Sequence, residues 1–192
     1  MLVLGSNLHN TPVMSLQTGT RLASITKPVI DPATLKIVAY ELEGALLNQH
    51  PSLLVTDDIR ELGSLGVIID SSDEFVGLSD VIKIEKIHEL GFKLIGMQVI
   101  DEHKRKLGKV EDYTLDPKSF VIQQLRVNRG ILRSLTETNL TIHRSQIVKI
   151  DNKNIVVKTT AKKIIEPIKQ AVEREYVNPF RNPTPQTEQS EV

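Results

Sequence analysis

The sequence predicts a mainly β protein: two small antiparallel β-barrels packed in tandem, then a short C-terminal helix and a disordered tail. Three observations predict it. The run Leu22, Ala23, Ser24, Ile25, then Val29, Ile30, Asp31, Pro32 and Leu35, Lys36, Ile37 returns 85 residues later. Its second copy is Leu107, Gly108, Lys109, Val110, then Thr114, Leu115, Asp116, Pro117 and Phe120, Val121, Ile122. Runs rich in Val, Ile and Leu are short and bounded by turn residues, which is the pattern of strands. Aromatic residues make up 4% of the chain and Trp is absent, so aliphatic side chains must fill the cores.

The repetition reaches beyond the central run. Leu4, Gly5, Leu8 and Val13 match Leu90, Gly91, Leu94 and Val99 at a spacing of 86. Leu54, Ile59 and Leu62 match Ile142, Ile147 and Ile150 at 88, and residues 67–69 match 155–157 at the same spacing. The spacing changes between these blocks, where loops absorb insertions. A period of this size means two similar domains, because solenoid units are shorter. The expected boundaries are 1–88 and 89–163 for the two barrels, 164–177 for the helix and 178–192 for the tail.

The elements follow in order. Asp31-Pro32 and Asp116-Pro117 each separate two apolar runs. Asp bonds its own backbone in a turn and Pro presets the next φ, so each pair marks a hairpin corner. The hairpins join roughly 24–30 to 35–42 and 109–115 to 120–127. Gln124 and Arg126 alternate with Leu125 and Val127, an imperfect period of two that suits a half-buried strand. Residues 57–62 and 144–148 suit one helical turn or an edge strand, each before a last strand at 66–69 or 154–159. Residues 79–89 connect the repeats, with Val81, Ile82, Ile84 and Ile87 as an added strand. The connection contains no Pro or Ser/Gly run, so it is not a flexible linker and the two domains are expected to pack together. After Thr160, Glu166-Pro167 opens a helix whose stripe is Ile168, Ala171 and Val172. Pro179, Pro183 and Pro185 among polar residues then predict disorder.

Composition excludes several chemistries. There is no Cys, hence no disulfide, catalytic thiolate or zinc-thiolate site. Met1, Leu2, Val3 and Leu4 lack the basic, longer apolar start of a signal peptide, and no run approaches a spanning helix. A cytoplasmic protein without a membrane span is expected. Net charge is zero, but residues 1–96 hold 7 Lys/Arg against 12 Asp/Glu, and residues 97–192 hold 17 against 12. An acidic first half and a basic second half suit head-to-tail docking, contact with RNA or an acidic protein, or plain solvated faces.

The search for catalytic chemistry returns structural readings. The five His, at 9, 50, 88, 103 and 143, have no metal-ligand spacing. His143 and Ser145 lack the strand–turn–helix elbow of a nucleophile, and residues this close rarely face each other. His143 also matches the apolar Val55, which suggests a structural slot. Counted from Asp70, a calcium loop would need Gly at position 75 and Glu at 81, where Phe75 and Val81 stand, so residues 70–74 read as a charged hairpin tip. No glycine-rich phosphate loop occurs. No catalytic, cofactor-binding or metal residue is assigned, and no cofactor is expected. The densest basic stretch is His103, Lys104, Arg105, Lys106 and Lys109, with Lys162 and Lys163 further on. These seven are the candidate contacts to a partner or to phosphates, against the alternative of a turn whose charges protect a sheet edge. No aromatic lies in the cluster to stack a base. Asn178, Pro179 and Phe180 form a short docking-like tripeptide.

Gly96, Val99, Asp101, then Leu107, Gly108, Lys109, Val110 and Asp112, then Asp116 and Pro117 resemble the opening of a PRC-barrel domain. The stretch from Ile142 to Ile150 resembles its close. The first repeat departs from the pattern: Ala23 stands for the Gly, Thr26 for the residue matching Glu111, and Pro28 falls inside a strand, implying an edge or a bulge. The resemblance covers roughly residues 1–160. It implies two PRC-type barrels like those of the photosynthetic reaction-centre H subunit and a ribosome maturation factor, where the barrel is a protein-binding or assembly module and supplies no catalytic residue. The expected function is therefore a non-enzymatic adaptor with a protein partner. The alternative is an RNA- or ribosome-associated factor using the basic second half.

Overall fold

Each half of the chain folds into a sheet with the same strand order. The computed structural model describes residues 1–45, 47–129, 139–151 and 153–158. The expected helix at 164–177, the tail at 178–192 with its Asn178-Pro179-Phe180 motif, and Lys162 and Lys163 lie outside the described residues.

The first half contains β1 (Val3–Leu4), β2 (Pro12–Ser15), β3 (Arg21–Asp31), β4 (Lys36–Glu43), β5 (Ser52–Val55), β6 (Glu61–Gly63), β7 (Gly66–Ile69), β8 (Phe75–Gly77) and helix α1 (Ile82–Glu89). The second contains β9 (Gln98–Asp101), β10 (Lys106–Leu115), β11 (Ile122–Asn128), β12 (Asn139–His143), β13 (Ile147–Ile150) and β14 (Asn154–Val157). One sheet runs β6-β7-β2-β3-β4-β5-β8 and the other β13-β14-β9-β10-β11-β12, with β1 added on β10.

Two expectations about these sheets need correction. They are not wholly antiparallel: β2 pairs parallel with β7, and β9 with β14. The first and last main strands of a repeat are joined through all the others, a connection long enough to bring them side by side in one direction. Nor does either sheet close into a barrel among the described residues, because β6 and β8, and β12 and β13, remain at opposite ends.

The residues matched in sequence occupy matched places. Val13, Ile25, Ile37, Leu54 and Val67 are buried in the first sheet, and Val99, Val110, Ile122, Ile142 and Ile155 take the same positions in the second. All ten belong to one continuous core. At the hairpin corners Asp31 accepts from the Ala33 N–H and the Thr34 hydroxyl, and Asp116 accepts from the Lys118 N–H and the Ser119 hydroxyl. The change of spacing from 86 to 85 is a turn one residue shorter. Ser15 N donates to Thr20 O, whereas Asp101 N donates to Arg105 O. Gly19 and Lys104, at φ 66° and 61°, take the same left-handed step in the two turns.

The hairpin corners also join the halves. Leu35 and Phe120 are both left-handed, at φ 53° and 55°, and both buried. Ile37 N donates to Phe120 O and Ile122 N donates to Leu35 O, each at 2.9 Å. The two bonds are reciprocal, so each corner completes the other. The expected packing of the halves is therefore a shared core plus a backbone clasp.

Hydrogen bonding crosses the 88/89 boundary a second time at the N-terminus. β1 pairs with β10 (Val3 with Leu115, Leu4 with Thr114), and Asp112 accepts from the Ser6 N–H at 3.1 Å and the Ser6 hydroxyl at 2.6 Å. On the first sheet α1 packs against the outer face, where Ile84 is buried with Val29, Ala39 and Leu53. Residues 79–89 thus hold a helix rather than an added strand. Val81, Ile84 and Ile87 recur every third residue, and Lys86 and His88 complement the carbonyl end. Pro28 fits because β2 pairs with β3 only at Arg21, Ala23 and Ser24, and a register break lies between Ile25 and Lys27. Residues 70–74 are not a hairpin tip. Asp70 pairs with Arg60, and Ser71 caps a 3-10 turn at Ser72–Glu74 by accepting from Asp73 N.

Gly108 sits at φ 147° beside a register break in β10, and a methyl group there would run into the Asn128 carbonyl oxygen. Gly108→Ala is expected to destabilise the fold by about 2–3 kcal/mol. Urea denaturation measures it, and a change within 0.5 kcal/mol would show that β10 relaxes around the added methyl.

Candidate functional site

The basic stretch is a tight turn built around one carboxylate. Asp101 ends β9 with its side chain fully buried. Its Oδ1 accepts from the backbone N–H of His103 and Arg105, and its Oδ2 accepts from Arg105 Nε at 2.5 Å. Burial pushes the Asp101 pKa up, but the bonds from the Arg105 N–H, the Arg105 guanidinium and the His103 N–H outweigh it and hold the carboxyl below its ordinary value. Arg105 thereby closes the turn through its Nε while its side chain stays largely exposed. His103, Lys104, Lys106 and Lys109 are exposed, and Lys104, Lys106 and Lys109 make no ion pair among the described residues. The turn offers spread ammonium groups without a cradle that would fix a phosphate.

A depressed carboxylate stabilises the fold above its unfolded pKa of about 3.9 and loses that contribution as pH falls through the folded value. Asp101→Asn is expected to lower stability at neutral pH and to make the loss below about pH 4 shallower than in the parent. Urea midpoints at neutral pH and near pH 3 provide the check, and parallel curves for the two proteins would contradict it.

His143 and Ser145 do face each other, against the expectation from their spacing: His143 Nδ1 lies 2.9 Å from Ser145 Oγ. The same nitrogen accepts from Ser145 N, and His143 N donates to Gln146 Oε1. The imidazole therefore caps the 3-10 turn Arg144–Gln146, and sequence reasoning missed this because the matching residue, Val55, caps its turn with no side chain. Among the described residues no three His, Asp or Glu side chains gather as ligands for one metal ion. No helix among them is long and apolar enough to cross a membrane.

The largest difference between the halves lies on the outer faces of the sheets. In the first, Val29 pairs with Ala39, Ala39 with Val55, and Glu41 with Leu53. Val29, Ala39 and Leu53 are buried with Ile84 of α1, and His88 Nε2 meets Glu41 Oε1 at 3.1 Å. In the second sheet the same register pairs Thr114 with Gln124, Gln124 with His143, and Arg126 with Thr141. At the matched positions Val29, Ala39, Leu53 and Val55 are thus replaced by Thr114, Gln124, Thr141 and His143. Thr141 and His143 are exposed, and Gln124 and Arg126 are half-exposed. Asn128 pairs with Asn139 and with Lys109, which extends this polar surface to the basic side of β10.

The acid–base pattern changes with it. Glu41 is held by Lys27 and His88, while Arg126 at the matching site has only Glu111 as an acidic neighbour among the described residues, at 3.8 Å. Glu111 falls in the register break between Val110 and Asp112. From sequence, His143 was read as a structural slot and Gln124 and Arg126 as part of an alternating strand, and none of these residues was read as part of a surface. The signal was present in the repeat itself: Val29, Ala39 and Leu53 align with Thr114, Gln124 and Thr141.

The structure also accounts for the conspicuous residues of the second repeat. Gly96 makes a left-handed turn, Val99 and Val110 fill the core, and Asp101 closes a turn. Gly108 permits a close backbone approach, Asp112 holds the N-terminal segment, and Asp116 shapes the corner. These are framework roles, and the outer face lies apart from them. No curated protein matches the chain. A PRC-barrel domain is found at residues 88–164, the stretch that carries the open polar face.

Proposed function

We propose that the chain is a non-catalytic binding module made of two PRC-like halves, and that it docks a protein partner on the outer face of the second sheet. The observation that carries this reading is the shared register. One face is apolar and roofed by α1, and on its polar counterpart Thr141 and His143 are exposed and Gln124 and Arg126 half-exposed. A PRC-barrel domain suggests an interaction or assembly role at most, which agrees with a site made of framework-mounted polar side chains. Gln124, Arg126, Thr141 and His143 present donors and acceptors from paired strands, so docking costs little backbone freedom.

The competing RNA reading draws on the exposed Lys104, Lys106 and Lys109. The two readings separate in a capture experiment with the full chain as bait in native lysate. The protein reading expects one discrete partner that survives nuclease and moderate salt, is lost with Arg126→Glu, and is kept with Lys104→Glu/Lys106→Glu. Capture that disappears with nuclease or with the lysine reversals supports RNA, since phosphate contacts weaken steeply with salt. Equal capture by the parent and Arg126→Glu overturns the outer face as the docking site.

A further inference from the structure

A second surface lies between the halves. The corner at Pro32–Leu35 of the first repeat faces Arg144 and β13 of the second across a groove of about 300 Å³. β13 ends its sheet, paired on one side with β14 and on the other with nothing among the described residues. An edge strand presents a row of unpaired N–H and C=O groups to whatever lies beside it. The register breaks between Ile147 and Lys149, and Val148 between them is half-exposed. Leu35, Ile147 and Ile150 supply aliphatic walls.

The charge of the groove has one sign. Arg144 and Lys149 line it, and no Asp or Glu does. Arg144 has no carboxylate partner among the described residues, while Lys149 reaches Asp151 at 2.7 Å in an exposed pair of little strength. In the first repeat Arg144 is matched by Thr56, which is buried with its hydroxyl bonded to Ile37 O and Val38 O. The framework therefore needs no cation at this position.

We propose that this groove binds an extended peptide segment of another protein, aliphatic and acidic, laid as an added strand along β13 with a carboxylate on Arg144. Main-chain bonds to the free edge supply affinity, and the aliphatic walls and the guanidinium select the side chains. This surface is separate from the outer face of the sheet, so it stands or falls without the docking site proposed there.

The test uses the full chain and a fluorescein-labelled hexapeptide of alternating Val and Glu, read by fluorescence anisotropy. Saturable binding is expected. It should weaken about tenfold or more with Arg144→Glu, and less with Arg144→Gln. Replacing each Glu of the peptide by Lys, or methylating alternate backbone nitrogens, should remove binding, and Arg126→Glu should leave it unchanged. Thermal unfolding of both Arg144 variants should match the parent, which separates lost binding from lost fold. No saturable binding at millimolar peptide, or binding indifferent to both Arg144 variants or to backbone methylation, overturns the proposal.

Discussion

Phe120→Ala is expected to cost about 3–5 kcal/mol of folding stability. Phe120 is buried at the corner where the halves meet, and its ring stands edge-on to Tyr40 of the other half at 6.3 Å between centroids. Truncation removes that contact and leaves a cavity in the continuous core. It also leaves an alanine to hold the left-handed backbone that offers Phe120 O to Ile37 N. Because the core runs through both halves, the urea transition should move as a whole rather than split in two. Phe120→Leu installs the residue that fills the matching slot at position 35 and should cost less than about 1.5 kcal/mol. A loss below 1 kcal/mol for the alanine variant, or two separate transitions, would show that the halves fold without this junction.

The junction was partly legible in the sequence. Asp-Pro at 31 and 116 marked two hairpin corners, and each corner forms where expected. That the corners grip each other could not be read, since Leu35 and Phe120 look like ordinary core residues until their φ angles are known. The spacing of 85 to 88 located matched core positions from Val13 and Val99 to Val67 and Ile155. It could not reveal that matched first and last strands pair in parallel, because side-chain alternation is the same in either direction. For 79–89, the apolar Val81, Ile82, Ile84 and Ile87 were read as a strand, while the three-residue spacing of Val81, Ile84 and Ile87 puts them on the packed side of a helix. The basic stretch drew attention through charge alone. Structure shows Arg105 Nε bonded to Asp101, a buried partner four residues away that composition could not identify. The outer face was the reverse case: its residues are ordinary one by one and informative only when set against their counterparts.

That contrast yields the second large effect. Leu53→Ala is expected to cost about 2–5 kcal/mol, whereas Thr141→Ala should change stability by no more than about 0.5 kcal/mol. The two residues hold the same register position, Leu53 opposite Glu41 and Thr141 opposite Arg126. Leu53 is fully buried among Val29, Ala39 and Ile84, so its truncation opens a cavity beneath α1. Thr141 is exposed and roofs nothing among the described residues. The helix is held by this packing and by the His88–Glu41 contact, so Leu53→Ala should also loosen α1, seen as faster amide exchange over Ile82–Glu89. Thr141→Ala should leave exchange everywhere unchanged while weakening partner capture. Equal stability losses at the two positions would mean that the second face is packed as tightly as the first. A duplicated framework would then carry two covered faces, and the outer face of the second sheet would have no free side chains with which to dock a protein.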